Sequence, residues 1–478
     1  MSAREIPGPK QFIGWDSVQA VMKNPAEYLL SLSQEYGEIV KFRMLSDHFV
    51  SIQKPDHVSE VLVKQASKFE KAGRDRAAMD VLLGLGLVTS EGDLHKRQRK
   101  LVQPAFRKKR IAMYADAMCR QTEKLLDHWK EGDSFDMSEE MMQLTMYIIT
   151  DTMFHIDVSD EAKRVGDSIA VLQEVMQNRL RAPVMLPTWV PTPEHRRALK
   201  AKKYLNDLIR SMIETRREEE AEEGWVDHGD LLSILLQAHE DGESMSDQQV
   251  IDELQTLFVA GHETTSNALT WTWYLLSQHP DVEAKMHEEI DRVLQGRPVT
   301  FDDLMHLPYT MQVIKESMRI YPPVWTLNVR QAKEAVEFDG YHLPAGTMVF
   351  IPPYVVHRNP EVFPEPERFD PERFTEEEEA NRHRHAFIPF GAGHRICIGN
   401  SFAMMEAALI VARLAQSYRF RLNPGQTVEI NPQVTMSVKG GLRMTVEKRQ
   451  PALSTTDAEM VTSQPVAAKG CPFHTQAA

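Results

Sequence analysis

One cysteine sits where its sulfur is equipped for chemistry. The run Phe390-Gly391-Ala392-Gly393-His394-Arg395-Ile396-Cys397-Ile398-Gly399 puts Cys397 in a glycine-bearing loop, just before an apolar helical pattern that starts near Asn400. A sulfur there meets unpaired backbone N–H groups and the positive end of a helix dipole, and both favour the thiolate, the form that binds metals. Gly393 and Gly399 leave room for backbone to approach a flat ligand, and Arg395, two residues before the sulfur, can reach an anionic group on it. A lone cysteine is more often a buried, inert side chain. The whole ten-residue pattern, not the cysteine alone, favours a ligand.

A second chemical centre lies in Ala260-Gly261-His262-Glu263-Thr264-Thr265. It interrupts a helical pattern of 32 residues from about Asp247 to Gln278, roughly 48 Å at 1.5 Å per residue. A glycine and two β-branched threonines lower helix propensity. A rule broken in the middle of an otherwise good element marks a functional site. Gly261 exposes backbone to a flat neighbour, and Thr264 can bond the carbonyl of Ala260, four residues back, opening the ladder to water. The bland alternatives are a threonine capping its own backbone and, for Glu263, an exposed helical carboxylate.

Other elements must hold these two centres together. A helix over Met311–Ile320 places Glu316 and Arg319 three apart on one face, and Tyr321-Pro322-Pro323 ends it. Residues 111–223 read as successive helices, with breaks at 131–133 and 181–193. Residues 80–90 read as a loop, with Gly84 and Gly86 among apolar residues. Strand-like alternation appears at 38–54, and Ala335–Phe338 with Met348–Ile351 suggests a small second sheet. Residues 451–478 have the Ser/Thr/Ala/Gln/Pro composition of a disordered tail, so a single unit over 1–450 is expected. Within that tail, Cys471-Pro472-Phe473-His474 resembles short haem-regulatory motifs, although a chance match explains it as well.

Composition narrows the function. The 55 basic residues against 69 acidic ones give a net charge of −14, which argues against general nucleic-acid affinity. Three cysteines imply no disulfide framework and fit a reducing cytoplasm. No secretory signal or apolar run of membrane-spanning length is visible, so no membrane anchor is expected. The basic stretch from His95 to Arg110 is, in its plainest reading, a solvated helix face.

The cysteine stretch resembles the haem-binding loop of the cytochrome P450 monooxygenases, Phe-x-x-Gly-x-Arg-x-Cys-x-Gly, at every fixed position. That resemblance implies a mainly α fold with small β-sheets, haem b, and Cys397 as the axial ligand of its iron. Phe390 and Gly399 would flank the haem, with Ala260 and Gly261 on its other face. The 260–265 segment is similar to the family's oxygen-activating motif, which makes Glu263 and Thr264 the catalytic acid and hydroxyl. Arg99 matches the arginine of a Trp-x-x-x-Arg propionate motif, with His95 replacing the tryptophan; Arg330, His357 and Arg395 match other propionate positions. Glu316, Arg319 and Arg373 match a buried structural triad. Leu82, Leu83, Leu85, Val88, Val324, Trp325, Thr326 and Leu327 fall where relatives contact substrate, and the proline-rich stretch 186–193 falls where they carry a lid.

The activity so implied is insertion of one oxygen atom from O₂ into an apolar substrate: a fatty acid, terpenoid or steroid. Leu45-Ser46-Asp47-His48-Phe49 lacks the arginine and tyrosine that hold a carboxylate in soluble fatty-acid hydroxylases, which lowers that class. With no flavin or ferredoxin domain in the sequence, electrons are expected from a separate ferredoxin or flavodoxin-type donor and its reductase, docked on the basic stretch. A peroxide-dependent or non-redox haem enzyme and a haem-binding sensor are the alternatives. The retained acid–alcohol pair favours O₂ with electrons.

Overall fold

Apolar residues at helical spacing from residue 108 onward form a helical body, and alternating residues near both ends of the chain form small sheets around it. The computed structural model describes residues 4–10, 14–154, 162–182, 185–240 and 243–449. The tail motif at Cys471 lies outside the described residues. No helix among those described is long and apolar enough to cross a membrane.

The central element is the helix Asp247–Gln278, with the bounds that its pattern predicts. Ser246 and Gln249 close a reciprocal capping box at its start, satisfying donors that a helix N-terminus leaves open. It packs against Met137–Phe154, Pro308–Ile320 and Asn400–Ser417, and all four helices share one large apolar core. Its midpoint is notched by hydroxyls. Thr264 donates to the Ala260 carbonyl at 2.7 Å, Thr265 to Gly261 at 3.0 Å, and Thr145 of the neighbouring helix to His262 at 2.9 Å. Three consecutive carbonyls therefore each accept a side-chain hydroxyl. Gly261 has a further reason to lack a side chain: a Cβ there would lie 2.7 Å from Ile149 Cδ1, so it also permits close helix packing.

The N-terminal sheet differs from the expected arrangement. Ile39–Met44 pairs antiparallel with Asp47–Ile52, as the alternation suggests. Met348–Phe350 then adds parallel to Asp47–Ile52, so it belongs to this sheet and not to a second one. Arg330–Ala332 and Phe69–Lys71 complete the order. Val336–Phe338 pairs only with Tyr341–Leu343, as a hairpin. One register matters for function: Lys71 lies directly opposite Arg330. Like charges facing each other across strands destabilise a sheet unless an anion lies between them.

Residues 80–90 also differ. The helix Gly73–Leu83 continues through the first four of them, and the loop starts only at Gly84, whose φ is 53°.

Candidate active site

Cys397 and the notched midpoint of the long helix line one cavity of about 290 Å³. Ala260, Gly261, Thr264 and Thr265 line it from the helix; Phe390, Cys397 and Gly399 line it from the loop. The space between them is flanked by apolar side chains such as Leu62, Leu87 and Met318. Cys397 is open to this cavity although protein encloses it on the other sides. The loop is tied by Cys397 N–H donating to the Phe390 carbonyl at 2.9 Å and Gly391 N–H to Ile388 at 3.0 Å. Gly391 and Gly393 both have positive φ. A Cβ on Gly393 would meet the Leu62 carbonyl at 2.2 Å, whereas one on Gly399 would make only ordinary contacts. Gly393 thus serves backbone packing, not the approach of a ligand that its position suggests. The thiolate expectation also needs correction. Burial pushes the Cys397 thiol up, and the Gly399 N–H and Arg99 offset this only in part. A bound metal ion, not the helix end, is what deprotonates such a sulfur outright.

Basic side chains crowd one end of the cavity. Lys71, His95, Arg99, Arg330 and Arg395 all line it. Burial, and then the Arg395 guanidinium, push the Lys71 ammonium down to about 7. Burial, again followed by Arg395, pushes His95 down to about 3. Burial lowers Arg330 to about 10, and its Nη1 is buried without a hydrogen-bond partner. Arg99 donates to the Ile396 carbonyl at 2.8 Å. Glu91 takes Arg395 Nη2 at 2.5 Å and lies 3.8 Å from Lys71 Nζ. One carboxylate against three arginines and Lys71 leaves an anion-seeking site. Lys71 and Glu91 have no mark in the sequence; they reach the site through sheet pairing and a distant contact.

The cytochrome P450 family model matches residues 7–445. This chain belongs to the cytochrome P450 family. It is 38% identical to cyclooctat-9-en-7-ol 5-monooxygenase of Streptomyces melanosporofaciens, over 88% of this chain and 90% of that protein. It is 32% identical to pentalenene oxygenase of Streptomyces avermitilis, over 90% and 94% respectively. A crystal structure of the cytochrome P450DA heme domain superposes with a TM-score of 0.84 at 25% identity, covering 95% of this chain and all of that one. The protein is a haem monooxygenase with haem b as its cofactor.

The residues present fit haem. Cys397 offers a sulfur to one face of a flat group, and the notched helix covers the other. The orphaned Arg330 Nη1 and the Lys71–Arg330 opposition are what two propionates would satisfy. His357 is a correction. It does not line the cavity; it is fully buried, and its Nε2 accepts the Ile388 N–H at 2.9 Å, bracing the cysteine loop from behind.

A second cavity, of about 530 Å³, adjoins the first. Val88, Thr256, Ala260, Thr264, Val324 and Leu327 line both and form the neck between them. Leu83, Trp325 and Thr326 line the outer cavity, and Glu263 faces it too. Two expected contacts are not there. Leu82 turns into a separate apolar pocket against Phe258 and Leu254, because adjacent helix positions point different ways. Leu85 is 53% exposed at the tip of its loop. Glu263 is clamped between Gln173 Nε2 and Thr435 Oγ1, each donating at 2.6 Å. Burial raises its proton affinity above that of an ordinary carboxyl, and the Thr435 hydrogen bond offsets this only in part. Gln173 and Thr435 come from distant segments and carry no local signal.

Glu406, on the cysteine helix, is 1% exposed, and neither of its oxygens finds a hydrogen bond of good geometry. Burial pushes its carboxyl up to about 8. The folded state therefore holds a proton that the unfolded chain releases, and stability falls as pH rises from the ordinary carboxyl value of 4.5 to about 8. Glu406→Gln removes this titration, so its stability should fall less than wild type over that window. Urea midpoints at both ends of the window check this.

Proposed function

We propose that this enzyme oxygenates a polycyclic terpenoid, with electrons from a separate acidic redox protein. The outer cavity carries the proposal. Its walls are mainly apolar: Met79, Leu83, Val88, Leu180, Val259 and Phe350 among them. Asp47 and Asp75 line it as well, and burial raises the Asp75 carboxyl. Arg74 donates to the Ala182 carbonyl. Carboxylates in the wall and an arginine committed to backbone disfavour a substrate with its own carboxylate. A bulky uncharged hydrocarbon or alcohol fits, and the relatives named for cyclooctat-9-en-7-ol and pentalenene support that class.

Haem, when bound, supplies iron-centred activation of dioxygen. The protein's own residues do the rest. Cys397 would hold the iron. Lys71, Arg99, Arg330 and Arg395 would neutralise the propionates. Val88, Val324 and Leu327 exclude water and orient the substrate at the neck. Thr264 Oγ1, bonded to the Ala260 carbonyl, stands beside Glu263, whose carboxyl faces the chamber with its proton affinity raised by burial. Transfer of that proton toward the neck is the acid step these residues are arranged for.

For electron entry, Lys100, Arg107, Lys108 and Lys109 are exposed next to Phe106, which lines the haem cavity. Their charge suits an acidic ferredoxin or flavodoxin. Two sets of measurements decide the proposal: absorption-shift titration of the haem protein with cyclic terpenes, steroids and fatty acids, then product analysis with NAD(P)H, a reductase and a ferredoxin. Tightest binding and oxygenation of cyclic terpenes is expected. Preference for fatty acids would overturn the substrate class, and product with peroxide alone would overturn the electron route.

A further inference from the structure

The loop 84–90 is strapped to the long helix by two acidic side chains that line neither cavity. Asp252 Oδ2 accepts the Leu85 N–H at 2.9 Å, and Glu253 Oε2 accepts the Leu87 N–H at 3.0 Å. Both acids are buried, at 7% and 0% exposure. Burial, offset only in part by the Leu87 N–H, pushes the Glu253 carboxyl up to about 8, so it holds that amide through an oxygen of a largely neutral acid. The strap is also tight. At Gly84 a Cβ would lie 2.4 Å from the Asp252 carboxyl, and at Gly86 one would lie 2.0 Å from Thr256 Oγ1. A side chain at Gly84 would displace the Asp252 carboxyl, and one at Gly86 would also strike the helix backbone, 2.7 Å from the Asp252 carbonyl.

The loop's carbonyls are fixed as well. Gln98 donates to Leu85 at 2.6 Å, Lys71 donates to Val88, and Thr89 Oγ1 closes back on Gly84 at 2.6 Å. Thr256, one turn along the helix from Asp252, donates to the Leu83 carbonyl at 3.2 Å and lines the neck. What this strap positions is Val88, a wall of both cavities.

We propose that Asp252 and Glu253 are positioning residues that set the width of the neck, and so which ligands reach the haem face. They do this by holding the Leu85 and Leu87 amides. The proposal rests on the reading of the outer cavity as the substrate chamber.

The haem-loaded protein tests this without knowledge of the substrate. The probes are two aryl imidazoles, one slender and one bulky, titrated by absorption, together with deuterium exchange at the loop amides. Asp252→Ala and Glu253→Ala should speed exchange at Leu85 and Leu87 respectively by about tenfold or more. They should also change the ratio of the two dissociation constants by about tenfold, as altered pocket contacts do. Asp252→Asn and Glu253→Gln keep an acceptor oxygen and should restore both readouts. If an alanine variant fails to fold, Gly86→Ala, whose Cβ pushes the loop off the same helix, should shift the same ratio.

Faster exchange with an unchanged ratio would overturn the proposal, as would unchanged exchange or an amide variant that behaves like alanine. None of these outcomes bears on the substrate class, since terpenoid binding is read separately on the wild-type protein.

Discussion

Glu263→Ala should lower product formation by about 100- to 10,000-fold, the span that a positioned acid contributes. Oxygen and NAD(P)H should still be consumed, since the substitution leaves the haem cavity's cysteine loop untouched. The size of the effect follows from the surroundings of Glu263. It is the acid beside Thr264 at the notched midpoint of the long helix, and it faces the chamber. Burial raises its affinity for a proton, so its acid form persists to higher pH than that of an exposed glutamate. Product formation should therefore fall as pH rises through that raised value, and Glu263→Gln should lose this limb of the profile. Thr435 and Gln173 both donate to the carboxylate and favour its charged form. Removing either donor, in Thr435→Val or Gln173→Leu, should move the limb to still higher pH. Product yield per NAD(P)H across pH is the measurement. A Glu263→Ala enzyme with wild-type yield would remove the assignment.

Arg319→Ala should destabilise the fold by about 3–5 kcal/mol, the cost of leaving one member of a buried ion pair alone. Glu316 and Arg319 are both 0% exposed and share two hydrogen bonds, at 2.6 and 2.8 Å. Arg373 approaches the same carboxylate at 3.5 Å, and the Asp370 N–H donates to it at 3.0 Å. Arg319 also holds the carbonyls of His357, Pro366 and Arg368. Through His357, whose ring accepts the Ile388 N–H, the pair connects to the loop that carries Cys397. Haem loss should accelerate along with unfolding. Urea denaturation and haem transfer to an acceptor protein read the two effects. A loss below about 1 kcal/mol would mean the pair acts like an exposed one.

What the sequence makes legible is local. The long helix is bounded correctly because its apolar pattern is continuous, and the Thr264–Ala260 bond follows from four-residue spacing alone. The ten-residue cysteine pattern is legible because all its fixed positions lie in one loop, which the structure sets against the haem cavity. Hidden features depend on segments far apart in the chain. Lys71 becomes a cavity cation only because Phe69–Lys71 pairs with Arg330–Ala332. Thr145, Gln173 and Thr435 reach the midpoint of the helix across 90 to 172 positions.

The misplaced residues have equally physical causes. Leu82 and Leu83 are neighbours on a helix and so cannot both face one chamber. Leu85 is at the loop tip because its N–H, not its side chain, is what the long helix holds. Met348–Phe350 joins the first sheet because a parallel partner is chosen by tertiary contact, which alternation does not encode.

Iron K-edge absorption on the haem-loaded protein tests the Cys397 ligand most directly. A sulfur neighbour on iron in the native protein, absent in Cys397→Ser, is the predicted result; the half-buried Cys119 instead donates to the Val299 carbonyl. A native spectrum showing only nitrogen and oxygen neighbours, or a sulfur that persists in Cys397→Ser, would contradict it.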